Sequence, residues 1–181
     1  MEPILFDGPE QIHPTSFPGM AECTITVGAV SKESLIIGWR TGWIVAPPSI
    51  IDDIGLVSIF NVVCPVGIAQ AAATVALQTS DSDIASASTQ WHNRRDIIMQ
   101  EIDGLPIVKH QGGRSMLIDV SGFGLTGAEA SQRLLETGKI AATAMTVWGS
   151  ERSADFIRFV FSNEPASRLR GIRTRVEPAL H

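Results

Sequence analysis

Lys32 stands shortly after an apolar, β-branched run, Cys23-Thr24-Ile25-Thr26-Val27. Arg40 follows just before a second such run, Trp43-Ile44-Val45-Ala46. Both runs read as strands, so the two cations fall at strand ends, where ligand chemistry gathers in open α/β sheets. A free ε-ammonium titrates near pH ~10.4 and is rarely a nucleophile at neutral pH. Burial among Leu35, Ile37 and Trp39, or the charge of Arg40, would lower that value and favour Schiff-base formation with a carbonyl. An arginine beside an aldehyde-accepting lysine suits a ligand carrying both an aldehyde and a phosphate, as pyridoxal phosphate does. On spacing alone a plainer reading is slightly favoured, in which Lys32 caps a turn and Arg40 pairs with a surface acid.

A third cation, Arg158, is the sole charge in Phe156-Ile157-Arg158-Phe159-Val160-Phe161. A charge on a buried strand is costly unless paired, and each charge-assisted hydrogen bond typically contributes about 1.5–3 kcal/mol. An internal aspartate and a bound carboxylate satisfy it equally well. The remaining polar residues read as framework. His13 lies in a loop rich in proline and glycine, and Asp52 and Asp53 suit the start of a helix whose dipole favours acids. His110 and Asp119 fall near a turn and at a strand end. His92 with Arg94-Arg95 reads as a solvated helix face, and Arg168, Arg170, Arg173 and Arg175 as a solvated, dipole-matched one.

Composition narrows the class. The chain has 181 residues and a net charge of −5, which argues against nucleic-acid binding, since phosphate contacts need a basic surface. Its length could bury roughly 70% of the unfolded surface as one domain. A mean hydropathy of +0.17 is high for a free-standing domain and suits a piece of a larger core. Cys23 and Cys64 lack metal spacing and read as buried, unpaired thiols in a reducing compartment. The segment from Met1 to Gly8 has no secretory pattern, and no apolar run reaches the roughly 20 residues of a membrane span. A cytoplasmic protein is expected.

The elements that must position the cations follow in order. Pro47-Pro48-Ser49 opens a helix with an apolar face of Ile50, Ile51, Ile54 and Val57. Ile68 to Gln78 is an alanine-rich helix whose small side chains allow close approach. The polar segment Thr79-Ser80-Asp81-Ser82-Asp83 marks a domain boundary. A long helix from Ile84 to Ile102 carries a buried stripe of Ile84, Ala87, Trp91, Ile98 and Ile102, and Gly104 ends it. Ile107 to His110 and Met116 to Val120 form a hairpin-like pair. Thr126-Gly127-Ala128-Glu129 has the form of a capping box before a helix bearing Ala130 and Leu134. After the Arg158 strand, Ser162-Asn163-Glu164-Pro165 opens one last helix.

Ser31-Lys32 followed by Gly38-Trp39-Arg40-Thr41-Gly42-Trp43 resembles the pyridoxal-lysine signature of the class I and II aminotransferases, the fold-type-I family. Pro18 to Gly28 resembles its lead-in strand. Far downstream, Phe156 to Ser162 resembles the strand whose arginine grips the substrate's α-carboxylate. The resemblance implies an α/β fold. Residues 1–79 would be the C-terminal part of the large domain, a mixed sheet with helices, and residues 80–181 a small α+β C-terminal domain. It implies a pyridoxal 5′-phosphate-dependent aminotransferase working on an amino acid and a 2-oxo acid through a Lys32 Schiff base. Lys32 would also shuttle the substrate proton, Arg40 would hold the phosphate, and Arg158 the substrate carboxylate. A homodimer is implied, with no nucleic-acid or membrane partner. The resemblance covers only the family's second half. The Asp-x-x-Tyr segment expected just upstream has no counterpart, and the chain has no tyrosine, so a fragment or a late start is expected. Ala29 replaces a serine frequent three residues before the lysine. A lyase of the same fold and a catalytically silent fragment are the alternatives.

Overall fold

The computed structural model describes residues 4–8, 10–79, 82–108 and 110–181, with the backbone alone at Glu33. The chain divides into two compact units, Met1–Ala85 and Ser86–His181. The division falls within a helix, beyond the polar segment of the sequence, of which Ser80 and Asp81 lie outside the described residues.

In the first unit, strand β1 (Thr26–Ala29) leads into a single helical turn, α1 (Val30–Glu33), and the chain returns as strand β2 (Gly42–Val45). The strand begins later than its β-branched run suggests. A 3-10 turn at Met20–Glu22 takes the Cys23 amide as its closing donor, so Cys23 to Ile25 are an approach to the strand. β1 and β2 pair antiparallel, with Gly28 opposite Trp43 and Ala29 opposite Gly42. The pairing needs glycine at 28, because a Cβ there would lie 2.4 Å from the Trp43 indole.

Helix α2 (Pro48–Val62) starts with proline in its first turn, where the missing N–H is no loss. Helix α3 (Gly67–Gln78) buries Ala69 and Ala73 and lies against α1. Small side chains therefore let the lysine-bearing turn approach closely. The outer faces of both helices are apolar and exposed, with Phe60 83%, Ile68 71% and Val57 68% accessible. Of the apolar face expected on α2, Ile50, Ile51 and Ile54 are half-buried and Val57 is not. Cys23 and Cys64 are both exposed, contrary to the buried thiols expected. Cys23 closes a surface turn, and Cys64 follows the exposed end of α2.

The second unit holds most of helix α4 (Ser82–Glu101), strands β3 (Ile107–Val108) and β4 (Ser115–Asp119), helix α5 (Gly127–Glu136), strands β5 (Thr143–Ala144) and β6 (Phe156–Val160), and helices α6 (Ala166–Leu169) and α7 (Arg173–Leu180). Its four-stranded antiparallel sheet has the order β3-β4-β6-β5. Alternation along the central strands turns Met116, Ile118, Ile157 and Phe159 inward, each 4% exposed or less. Ala130 and Leu134 of α5, fully buried, and Val176 and Leu180 of α7 belong to the same core. Helix α5 begins with the expected capping box, since Thr126 Oγ1 accepts from the Glu129 amide at 3.2 Å and Glu129 Oε2 accepts from the Thr126 amide at 2.8 Å.

Two expectations for this unit are corrected. Arg95 is only 3% exposed rather than solvated. Its charge is balanced by Asp96, whose Oδ1 accepts from its Nε and Nη2 at 2.9 and 2.6 Å. Arg94 reaches the Ser162 carbonyl. The single last helix is two helices, broken at Gly171, which takes a left-handed φ of 73°. The break puts Arg173 and Arg175 in the N-terminal half of α7, the end that disfavours cations. Arg173 is held there by Glu177 Oε1 at 2.6 Å and by the carbonyls of Glu101 and Asp103.

Candidate functional site

β1 ends at Ala29 with extended backbone, and the chain turns at once into α1, so Lys32 sits on the first helical turn after a strand. Val30 and Ser31, 1% and 8% exposed, anchor that turn, while Lys32 is half-buried. Ala29 gives α1 no side-chain cap. The return to β2 uses left-handed backbone at Leu35 and at Arg40, with φ of 57° and 53°. That bend folds the Arg40 guanidinium back, and its Nη1 donates to Ser31 Oγ at 3.4 Å and to the Ile37 carbonyl at 3.0 Å. Among the described residues no carboxylate pairs with Arg40, the partner that the plainer sequence reading expects.

Leu35, Ile37 and Trp39 are 60%, 45% and 42% exposed. They do not bury Lys32, because the chain between α1 and β2 turns them outward. Ser31 carries no assigned role in the sequence reading, yet its hydroxyl accepts from Arg40. The signal was its place beside Lys32 in the motif. A buried hydroxyl and a guanidinium that has no carboxylate partner among the described residues, beside a lysine in the chain, form a donor set suited to a phosphorylated aldehyde.

Arg158 occupies the outward face of β6, opposite Leu117 on β4 and Thr143 on β5. Its Nε is buried without a hydrogen-bond partner, and its Cζ lies 4.6 Å from the centroid of the Trp148 ring. Among the described residues no acid pairs with it. Asp119, the nearby acid on the same sheet, is engaged elsewhere: Ser121 Oγ and the Ser121 amide donate to its Oδ1 at 2.6 and 3.0 Å, and Arg152 Nη2 donates to its Oδ2 at 2.6 Å. The Ser121 bonds first, and the Arg152 guanidinium after them, hold its carboxyl below the ordinary carboxylate range. Trp148 escaped the sequence reading, since an isolated exposed aromatic in a loop gives no pattern to find.

A cavity of about 130 Å³ lies elsewhere in the second unit, lined by Ile98, Lys139, Phe159, Glu164, Arg168 and Arg175 among others. Lys32, Arg40 and Arg158 do not line it, and Phe159 alternates with Arg158 to the other face of β6. Among the described residues no cluster of His, Cys, Asp and Glu suits a metal, and no helix is long and apolar enough to cross a membrane.

Residues 7–175 match the family described as aminotransferase class I and II. Over 152 residues the chain is 30% identical to an arginine–pyruvate transaminase of Pseudomonas aeruginosa, covering 81% of this chain and 38% of that protein. It is 31% identical over 152 residues to an aspartate aminotransferase of Pyrococcus abyssi, covering 82% of this chain and 39% of the relative. The crystal structure of an aromatic aminotransferase from Pyrococcus horikoshii superposes with a TM-score of 0.88 at 28% identity, over 99% of this chain and 48% of that one. The chain thus belongs to the class I and II aminotransferases, and its fold is their α/β fold. It spans about two fifths of the length of these curated relatives.

Proposed function

We propose that this chain is the C-terminal part of a cytoplasmic, homodimeric, pyridoxal-phosphate-dependent aminotransferase that moves an amino group between an amino acid and a 2-oxo acid. Residues 1–79 are the end of its large domain and residues 80–181 its small domain. When bound, pyridoxal phosphate supplies an aldehyde that condenses with amines and a ring that withdraws electrons from the substrate's Cα. Lys32 would supply the amine that holds the cofactor and would take and return the proton of the substrate's Cα. Arg40 holds the phosphate with the Ser31 hydroxyl, and Arg158 orients the amino acid by its carboxylate.

The observation that carries this reading is the state of the two motif arginines. Arg95, Arg152, Arg168 and Arg173 each pair with a carboxylate. Among the described residues Arg40 and Arg158, like Arg94, Arg114, Arg170 and Arg175, do not, but Arg40 is fixed by the Ser31 hydroxyl and the Ile37 carbonyl, and Arg158 has its Nε buried without a partner and lies over the Trp148 ring. Guanidinium groups held in place without an internal counter-ion suit two anionic ends of bound molecules. The wide apolar exposure of α2 and α3 favours a second reading, in which these 181 residues are silent until joined to further polypeptide. Reducing a mixture of the protein and pyridoxal phosphate with borohydride, followed by peptide mapping, tests the assignment. Label on Lys32 is expected. Label confined to Lys109 or Lys139, the only other lysines, overturns it, and absence of any label supports the silent reading. Formation of a keto acid that requires an amino acceptor separates transamination from a lyase reaction.

A further inference from the structure

We infer that Trp148 is a positioning residue that holds the Arg158 guanidinium in one plane for a substrate carboxylate, on a loop latched to the sheet by Arg152. The inference rests on the reading of Arg158 as the carboxylate-binding group. Neither cross-strand neighbour of Arg158, Leu117 or Thr143, carries charge or anchors its guanidinium. Its Nε is enclosed without a partner, while its terminal nitrogens make no hydrogen bond among the described residues. What fixes the group is therefore the indole of Trp148, 4.6 Å away from Cζ. Stacking covers one π-face of a planar cation and leaves its edge, the bidentate side, to a carboxylate.

The ring is held in turn by its loop. The Trp148 amide donates to the Met145 carbonyl at 2.8 Å, and the Met145 amide to the Phe156 carbonyl at 3.0 Å, so the loop starts fastened to β6. Ser153 Oγ closes it by donating to the Gly149 carbonyl at 2.8 Å. Arg152 then bridges Asp155 at 3.1 Å and Asp119 at 2.6 Å, and its Cζ lies 5.4 Å from the Phe156 ring centroid. The two stacks are reciprocal: a strand arginine rests on a loop aromatic, and a loop arginine rests on a strand aromatic. Trp148 is 59% exposed, so folding does not explain its place.

Titrating the protein with pyruvate while following tryptophan emission tests this. A saturable change in emission is expected, carried by Trp148 and absent from Trp148→Phe, whose affinity is followed calorimetrically. Trp148→Ala is expected to weaken pyruvate binding about tenfold, and Trp148→Phe to restore most of it, a rescue that loss of general structure would not give. In an Arg158→Ala background Trp148→Ala is expected to add no further loss, because the two act as one unit. Unchanged affinity in Trp148→Ala, with Arg158→Ala weakened, overturns this inference alone. Unchanged affinity in Arg158→Ala, or no binding by the wild-type protein, overturns the reading of Arg158 and this inference with it.

Discussion

Arg152 Nη2 donates to Asp119 Oδ2 at 2.6 Å and ties the loop after β5 to the end of β4. Arg152 takes a left-handed φ of 50° to do so. Two Ser121 donors share the same carboxylate, so the ionised form of Asp119 is the form the fold needs.

Its pH dependence follows in sign. The folded state holds the Asp119 carboxyl below its ordinary value, and an unfolded aspartate titrates near pH ~3.9. Its contribution to stability is therefore fully present above the unfolded value and is lost as pH falls through the lower folded one. In thermal melts between about pH 5 and 2, Asp119→Asn is expected to flatten the acid-side decline. A variant that declines as steeply as the wild type shows that the bridge contributes nothing measurable.

Arg40 makes a separable contribution. A charge-assisted hydrogen bond contributes about 1.5–3 kcal/mol, so Arg40→Ala is expected to weaken pyridoxal phosphate binding by about 10- to 100-fold. Binding of pyridoxal, which lacks the phosphate, should not change. Ser31→Ala is expected to show the same selectivity with a smaller loss, as a neutral donor would. Equal losses for both ligands, read by equilibrium dialysis, place Arg40 away from the phosphate.

Much of this was legible in the residues, and the exceptions have physical causes. The capping box at Thr126 and Glu129 follows from local pattern, which the structure keeps. Arg40 does fold back to the motif turn, where its Nη1 donates to Ser31 Oγ, the residue before Lys32. Burial did not follow from pattern in the first unit. The apolar residues Leu35, Ile37, Val57 and Phe60 are exposed, because hydrophobicity states a preference and only neighbouring chain can satisfy it. Arg95 fails in the opposite sense, since its adjacent Asp96 makes a buried guanidinium tolerable. The break at Gly171 was hidden among four arginines whose charge drew the reading away from the backbone. Trp148 is found only once the loop has folded back over β6.

Gly28 is a sharp test of the β1–β2 pairing. A Cβ at this position would lie 2.4, 2.5 and 2.6 Å from three atoms of the Trp43 indole, and overpacking of this kind typically costs about 1–3 kcal/mol. Gly28→Ala is expected to lower the denaturation midpoint accordingly. Trp43→Leu removes the obstructing ring, so Gly28→Ala should cost clearly less in that background. Equal costs in both backgrounds, measured by urea unfolding, remove the indole as the reason for glycine.

The exposed faces of α2 and α3 carry the last prediction. Val57, Phe60, Ile68 and Val75 are 68%, 83%, 71% and 65% exposed, and among the described residues β1 and β2 pair only with each other. Apolar patches and open strand edges of this kind drive association. The 181-residue chain is expected to scatter light as oligomers at micromolar concentration. Phe60→Lys together with Val57→Lys is expected to reduce that scattering severalfold, because each places a charge where another molecule would have to desolvate it. Val147→Lys is the control, since Val147 is 89% exposed and belongs to the second unit, not to α2 or α3. If it reduces scattering as much as the α2 pair does, added charge alone explains the effect, and the apolar faces of α2 and α3 are not what brings the molecules together.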